Sequence, residues 1–314
     1  MRDGDGTRIL FERVSRWYGD TVALADVSFD LGPGVTGLLG HNGAGKSTAL
    51  KLCGGFTRPS AGTVRVLGAD LLRDQRPYAR IGIAHDREGL WPHLSAQATV
   101  AALARLRGVR DPEAAAMRAL GLVGLADDAG RKVGGFSHGM RQRVKLAQAL
   151  AHEPEVLLLD EPLNGLDPSQ RRTVVELVRH LGEEGRTVLV SSHVLHEVER
   201  MAPRVLVLVD GRLVARGTTA GIRALIDDRP RSFALHGDGV RRLGGALVAA
   251  GLADSVALDG ESLRVEVADA DRFRAALPAL ARDEDVRIDA MTPVGDDLES
   301  VFRYLHQRSR GGRR

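Results

Sequence analysis

The stretch G-H-N-G-A-G-K-S at residues 40–47 decides the fold of this chain. It matches the pattern G-x-x-x-x-G-K-[ST] at every fixed position. The run V-T-G-L-L at 35–39 before it predicts a buried strand, and the run A-L-K-L at 49–52 after it predicts the start of a helix. The sequence therefore predicts a strand, a tight loop and a helix in that order.

The residue types of this loop are those that bind phosphate groups. Glycines let the backbone bend so that its N–H groups point at phosphate oxygens, and the helix N-terminus adds its positive dipole end. Lys46 can reach the outer phosphates, and the Ser47 hydroxyl can ligate the Mg2+ that accompanies a nucleoside triphosphate. A glycine-rich turn with a chance Lys-Ser pair is the alternative, which the flanking elements disfavour. The expected nucleotide-binding residues of the loop are Asn42, Gly43, Ala44, Gly45, Lys46, Ser47 and Thr48.

A second segment, V-L-L-L-D-E-P at 156–162, is an apolar strand that ends in two adjacent carboxylates. In a parallel sheet covered on both faces, strands are continuously apolar and active groups collect at their carboxyl ends. We expect Asp160 to hold Mg2+, directly or through water, and Glu161 to orient the attacking water.

Four further motifs, in order, resemble those of the ABC-type ATPases. Residues 136–143, F-S-H-G-M-R-Q-R, resemble the family signature L-S-G-G-Q. Residues 164–167 resemble the D-loop, which ends at Asp167, and residues 191–193 resemble the H-loop with His193. Tyr18, followed by Gly19, resembles the aromatic residue that stacks on adenine. The resemblance covers residues 7–217.

The resemblance implies an ATPase that uses ATP and Mg2+, with Glu161 and His193 in the catalytic site and His193 near the γ-phosphate. Because one chain carries one loop and one signature, it implies a homodimer that sandwiches ATP. Asp86 stands where the family has the Q-loop glutamine, and we expect it to be a metal ligand that alters coupling to the partner protein. The signature residues expected to contact the second protomer's ATP are Ser137, His138, Gly139 and Met140.

The predicted fold class is α/β, a P-loop ABC-type ATPase with an inserted helical subdomain and a small C-terminal α+β (ferredoxin-like) domain. We expect the ATP-binding domain at 1–217, its helical subdomain at about 89–151, a linker at 218–230, the accessory domain at 231–308 and a basic tail at 309–314. The accessory domain reads as β-α-β-β-α-β. Its strands are predicted at 232–235, 255–258, 262–267 and 286–290, and its helices at 240–250 and 271–281, with a last helix at 298–306.

Composition limits the cellular location and the binding partners that we expect. The 314-residue chain has a formal charge of +3, which argues against a nucleic-acid partner, and a single cysteine, which fits a reducing cytosol. The start lacks the apolar stretch of a secretion signal, and no apolar run approaches the length of a membrane span. We therefore expect a separate transmembrane permease subunit and a peripheral location on the cytoplasmic face of the cell membrane.

These features predict the ATP-hydrolysing subunit of a bacterial ABC transporter. Residues 293–304 resemble the C-terminal ends of ATPases that serve exporters, so we expect export. One alternative is a non-transport ABC ATPase in translation or DNA repair, which usually has two cassettes or a long coiled coil. Here only about 90 residues separate the loop from the signature, without sustained heptads. Another alternative, a P-loop GTPase or kinase, predicts an Asn-Lys-x-Asp guanine reader, and the chain has none.

Overall fold

The computed structural model describes residues 6–85, 89–222, 231–260 and 262–294. The chain divides into two compact units, Met1–Ile222 and Arg223–Arg314. The predicted metal ligand Asp86, the predicted last helix at 298–306 and the basic tail lie outside the described residues.

The first unit contains a three-stranded antiparallel sheet of order β2-β1-β4. Its strands are β1 (Ile9–Tyr18), β2 (Thr21–Leu31) and β4 (Ala61–Val66). The rings of Phe11 and Phe29 stack between β1 and β2 at a centroid distance of 4.4 Å, inside a buried apolar cluster. The pairing of β1 with β2 continues to the turn at residues 19–20, where Tyr18 lies opposite Thr21.

A six-stranded sheet of order β5-β6-β7-β3-β8-β9 forms the centre of the first unit. All neighbouring strands are parallel except β8 and β9. β6 and β7 are buried along their whole length, as their continuous apolar runs predict for a sheet covered on both faces. The strands are β3 (Gly34–Leu39), β5 (Ile81–Ala84), β6 (Val156–Asp160), β7 (Thr187–Ser192), β8 (Arg204–Val209) and β9 (Arg212–Thr218).

Among the described residues of the first unit, six α-helices connect these strands. α1 (Lys46–Cys53) follows β3, α5 (Pro168–Glu183) follows β6, and α6 (Leu195–Met201) follows β7. Between β5 and β6 the chain forms α2 (Ala96–Leu106), α3 (Pro112–Leu122) and α4 (His138–Leu150). Side-chain caps define where these three helices start, because Ser95, Asp111 and Ser137 each accept a hydrogen bond from a backbone N–H of the first turn.

The described part of the second unit is a four-stranded antiparallel sheet with two helices on one face. Its elements are β10 (Arg231–His236), α7 (Val240–Ala249), β11 (Ser255–Asp259), β12 (Ser262–Val267), α8 (Ala270–Asp283) and β13 (Ala290–Val294). The sheet order is β11-β12-β10-β13. Along β12 the buried residues Leu263, Val265 and Val267 alternate with exposed Arg264 and Glu266, so one face of the sheet supplies the core under the helices.

The predicted strand at 286–290 is wrong in position, since the structure forms β13 at Ala290–Val294 instead. Val286 is buried against the end of α8, where its backbone N–H donates to the Ala281 carbonyl. Pairing with β10 begins only where Ala290 lies opposite His236. The apolar residue that suggested a strand start is therefore a helix-terminating core residue.

Candidate functional site

The phosphate-binding loop lies between the carboxyl end of β3 and the start of α1. Gly45 precedes α1 in the left-handed region with φ of 102°, and a Cβ there would lie 2.5 Å from the Ala23 carbonyl oxygen. Only glycine fits this position. α1 begins at Lys46 without a side-chain cap, so its first-turn N–H groups remain for an anionic ligand.

A cavity of about 290 Å³ lies over this loop. Residues from three separated parts of the sequence line it: the start of β2, the loop with the start of α1, and the end of β6. They are Thr21, Val22, Ala23, His41, Asn42, Gly43, Gly45, Lys46, Ser47, Thr48, Asp160 and Glu161. Among the predicted loop residues only Ala44 is absent from this wall, because it is fully buried.

The Lys46 ammonium, only 6% exposed, is held by three oxygen atoms. It donates to the Gly40 carbonyl at 2.7 Å and to the His41 carbonyl at 3.2 Å, and it lies 3.4 Å from Glu161 Oε1. An ammonium has three donors, so all of them have partners inside the site. These contacts fix the lysine in the wall of the cavity.

Asp160 ends β6 with its side chain buried, 3% exposed. One carboxylate oxygen, Oδ1, accepts a hydrogen bond from the Ser191 hydroxyl at 2.7 Å. The other, Oδ2, is buried and has no hydrogen-bond partner among the described residues. A buried carboxylate oxygen without a partner is costly unless a ligand pairs with it. Asp160 and Ser47 line the same cavity, and their oxygens are the donor types that Mg2+ prefers.

Glu161, the next residue, points its carboxylate into the same region. Its Oε2 lies 3.0 Å from Nδ1 of His193, which follows β7, and its Oε1 faces Lys46. Since β6 and β7 are parallel neighbours, their carboxyl ends bring together residues that are 32 positions apart. The structure therefore joins three predicted site residues, Lys46, Glu161 and His193, in one polar cluster.

Tyr18 lies at the end of β1, 44% exposed, and does not line the cavity. The Arg16 guanidinium lies over its ring, 4.4 Å from the centroid, so one face of the ring is covered. Although burial raises the pKa of Tyr18, hydrogen bonds from Arg16 and Thr57 outweigh it and lower this pKa from its usual value. The other ring face is the one that a stacked base could use.

His41 connects the phosphate loop to the β8–β9 turn. Its Nε2 lies 3.4 Å from Asp210 Oδ1, and its Nδ1 lies 2.7 Å from the Asn42 carbonyl oxygen. The Gly211 N–H also donates to the Ala44 carbonyl across the same gap. These contacts hold the loop against the neighbouring hairpin.

The signature residues and Asp167 lie outside the cavity wall, at the starts of α4 and α5. Ser137 caps α4 by accepting from the Met140 N–H, and Asp167 caps α5 by accepting from two N–H groups at 2.9 Å. The two starts touch, because a Cβ added to Gly165 would lie 2.0 Å from Cδ2 of His138. His138 is exposed and Gly139 is buried.

Sequence reasoning missed two residues that contact Glu161. Ser191 accepts a hydrogen bond from the Glu161 N–H, and Gln142 donates one to the Glu161 carbonyl. One signal could have identified Ser191. It is a polar residue near the end of an apolar strand, and the neighbouring strand ends in acidic residues. Gln142 lies within a helix, and no local pattern marks its partner.

The fold and this cluster define an α/β phosphate-binding protein whose loop, strand-end acids and strand-end histidine surround one cavity. The comparisons with known proteins specify the class further. Residues 24–164 match the family described as "ABC transporter".

Two curated relatives illustrate the similarity. The chain is 33% identical over 308 residues to Nod factor export ATP-binding protein I from Rhizobium etli, covering 96% of this chain and 94% of the relative. It is 36% identical over 208 residues to bacitracin transport ATP-binding protein BcrA from Enterococcus faecalis, covering 65% of this chain and 67% of the relative. The chain belongs to the ATP-binding subunits of ABC transporters, and it is an ATPase of that family.

A solved structure supports the same assignment. The dimeric structure of MJ0796, a bacterial ABC transporter cassette, aligns with a TM-score of 0.62 and 26% sequence identity, covering 67% of this chain and 98% of that one. Within the described residues, no helix of this chain combines the length and apolar character needed to cross a membrane.

Proposed function

We propose that this chain is the ATP-hydrolysing subunit of a bacterial ABC exporter, in which ATP-driven closure of a homodimer is coupled to transport by a separate transmembrane permease. The observation that carries the proposal is the single cavity in which Lys46, Asp160 and Glu161 converge. The relatives' names, which specify Nod factor export and bacitracin transport, support the exporter class. Its location would be the cytoplasmic face of the cell membrane.

The proposed site binds ATP through the loop residues 42–48, with Tyr18 against the adenine. Mg2+ would be held by the Ser47 hydroxyl and by the unpartnered Oδ2 of Asp160, with Asp86 as a further candidate ligand, and it would neutralise charge on the outer phosphates. Lys46 would exchange its carbonyl partners for phosphate oxygens without leaving its buried position.

Glu161 would then act as the base that orients the attacking water. Its two carboxylate oxygens have different partners, Lys46 and His193. When Lys46 turns to the phosphate, Oε1 is left to accept a proton from water, while His193 keeps the carboxylate aligned through Oε2. His193 would also contact the γ-phosphate, which gives this residue two roles.

The signature residues 137–140 would complete the site of the second protomer. The starts of α4 and α5 lie outside their own chain's cavity, and Ser137, His138 and Asp167 are exposed there, which supports a contact with a partner protomer. The free side of each phosphate loop would be closed by the other subunit.

We further propose that α2, α3 and α4 form a helical subdomain at about 89–151, followed after residue 217 by a linker at 218–230. The accessory domain at 231–308 would be ferredoxin-like and would stabilise the dimer. Its strand order β11-β12-β10-β13, with the two helices packed on one face, supports the ferredoxin-like assignment.

The dimer can be tested by light scattering after size-exclusion chromatography. Glu161→Gln should bind ATP without clearing it and should accumulate as a dimer with Mg-ATP but not with Mg-ADP. Adding Ser137→Arg places a bulky charge at the start of α4 and should prevent this dimer while leaving ATP binding intact.

A matched control is Leu106→Arg in the Glu161→Gln background, which adds the same charge at an exposed position at the end of α2. It should still form the dimer. If Glu161→Gln remains a monomer at high ATP even with the co-expressed membrane subunit, the sandwich is wrong.

A further inference from the structure

The backbone of Glu161 is in an unusual conformation. Its φ of 48° lies in the left-handed region, where a residue with a Cβ is disfavoured by about 1–2 kcal/mol relative to ordinary backbone. Such a conformation persists where the surrounding structure holds it, and it is concentrated at functional sites. Asp160 is the last residue of β6, so the left-handed residue is the first one after the strand.

Two buried side chains hold the peptide groups on both sides of this turn. The Ser191 hydroxyl accepts from the Glu161 N–H at 2.9 Å and donates to Asp160 Oδ1 at 2.7 Å. Gln142 Nε2 donates to the Glu161 carbonyl at 3.2 Å. Ser191 is 0% exposed and Gln142 is 4% exposed, so water does not readily replace either contact.

The two contacts come from different elements. Ser191 belongs to β7, the strand beside β6, and its hydroxyl joins the two acidic residues to each other. Gln142 belongs to α4, the helix that starts directly after Ser137. The position of Glu161 is therefore tied both to the sheet and to the helix whose first turn carries the signature residues.

We propose that Ser191 and Gln142 are positioning residues that hold Glu161 in its left-handed conformation and so aim its carboxylate at the phosphate loop. The inference rests on the proposed role of Glu161 as the base. It deepens that role, because it makes the orientation of α4 part of the geometry of the base in the same chain. A shift of α4 then moves the Glu161 carbonyl, and with it the carboxylate.

The test measures kcat and KM for ATP in Ser191→Ala and Gln142→Met. Each variant should lower kcat about ten- to hundredfold, the scale of a base misplaced by about 1 Å, with KM within about twofold of wild type. Ser191→Thr keeps the hydroxyl and should restore most of kcat. Gln148→Met is the matched control, since Gln148 lies on the same helix and donates to the Thr99 carbonyl, away from the site. It should leave kcat unchanged.

A positioning role is separated from a general loss of structure by repeating the substitutions in Glu161→Gln. With the base already removed, Gln142→Met should not lower the residual single-turnover rate further, whereas damage to the fold would lower it in both backgrounds. Ser191→Ala also removes the hydrogen bond to Asp160 Oδ1, so only the part of its loss that disappears in the Glu161→Gln background is assigned to Glu161. Thermal unfolding of each variant checks that the protein is folded.

A kcat within about twofold of wild type for either variant would overturn the assignment of that residue. An equal further loss in the Glu161→Gln background would do the same. Hydrolysis of ATP at the wild-type rate by Glu161→Gln alone would instead contradict the proposed function. This variant therefore distinguishes a failure of the positioning assignment from a failure of the proposed function.

Discussion

The six-stranded sheet of the first unit and the four-stranded sheet of the second both bury apolar side chains under helices, but their strand ends differ. At the carboxyl ends of β3, β6 and β7 lie the phosphate loop, the Asp160-Glu161 pair and His193, several of them contacting one another. Within the described residues neither unit groups three His, Cys, Asp or Glu side chains that could hold a metal ion, so the two units differ in the convergence of their strand ends.

The difference shows where strand topology creates a site. In a parallel sheet, successive carboxyl ends meet at one edge, so residues far apart in sequence converge there. At this edge the buried Asp160 Oδ2 has no hydrogen-bond partner in the described part of the chain. In the antiparallel sheet, the described loops after β10 and before β13 pair with each other, since the Arg287 N–H donates to the Asp238 carbonyl.

The largest difference between the two units should come from truncating one ring of the buried aromatic pair in the second unit. Phe273 is fully buried and its ring stacks on Phe233 at 5.4 Å between centroids. Phe273→Ala should destabilise the second unit by about 3–5 kcal/mol, while ATP affinity remains unchanged. Calorimetric unfolding and nucleotide titration check the two effects, with Leu258→Ala, which truncates an exposed side chain of the same unit, as the control. A parallel loss of ATP affinity would contradict the division of roles.

Lys46→Ala should weaken ATP binding about 30- to 100-fold, because it removes the buried cation that would pair with the outer phosphates. The estimate corresponds to about 2–3 kcal/mol for a charge-assisted hydrogen bond. Fluorescent-nucleotide titration measures it. Lys51→Ala, at the other end of α1, is the matched control and should bind ATP normally. Unchanged ATP affinity of Lys46→Ala would contradict the assignment of this loop as the phosphate-binding site.

The contiguous parts of the candidate site follow from local residue types, whereas its long-range contacts do not. The loop at 40–47 and the strand-end acids follow from local residue types, and the structure brings Lys46, Glu161 and His193 together. The contacts of Glu161 with Gln142 and Ser191 span 19 and 30 positions. They depend on how α4 and β7 pack against β6, which no local pattern encodes. The misplaced β13 has a related cause, since pairing with β10 and not apolar character sets its start.

A smaller effect is expected on the pH dependence of stability, through the contact of His152 with the edge strand β5. Burial lowers the pKa of His152 from its usual value of about 6.5, and its Nε2 lies 3.0 Å from the Ile81 carbonyl oxygen. A group with a depressed folded-state pKa contributes stability that is present above the unfolded pKa and is lost as pH falls through the folded pKa. His152→Gln should therefore flatten the fall of Tm below about pH 6.5, whereas an unchanged pH profile would contradict the assignment.

The most direct test of the central claim is single-turnover hydrolysis by Glu161→Gln. Acid-quenched samples would show how fast bound ATP becomes ADP, with nucleotide affinity measured in parallel. Glu155→Gln is the matched control, because Glu155 lies at the opposite end of β6 and pairs with Arg80. We predict that Glu161→Gln keeps its ATP affinity within about threefold and hydrolyses ATP at least about a hundredfold more slowly, while Glu155→Gln matches the wild type. Near-wild-type hydrolysis by Glu161→Gln would contradict the account.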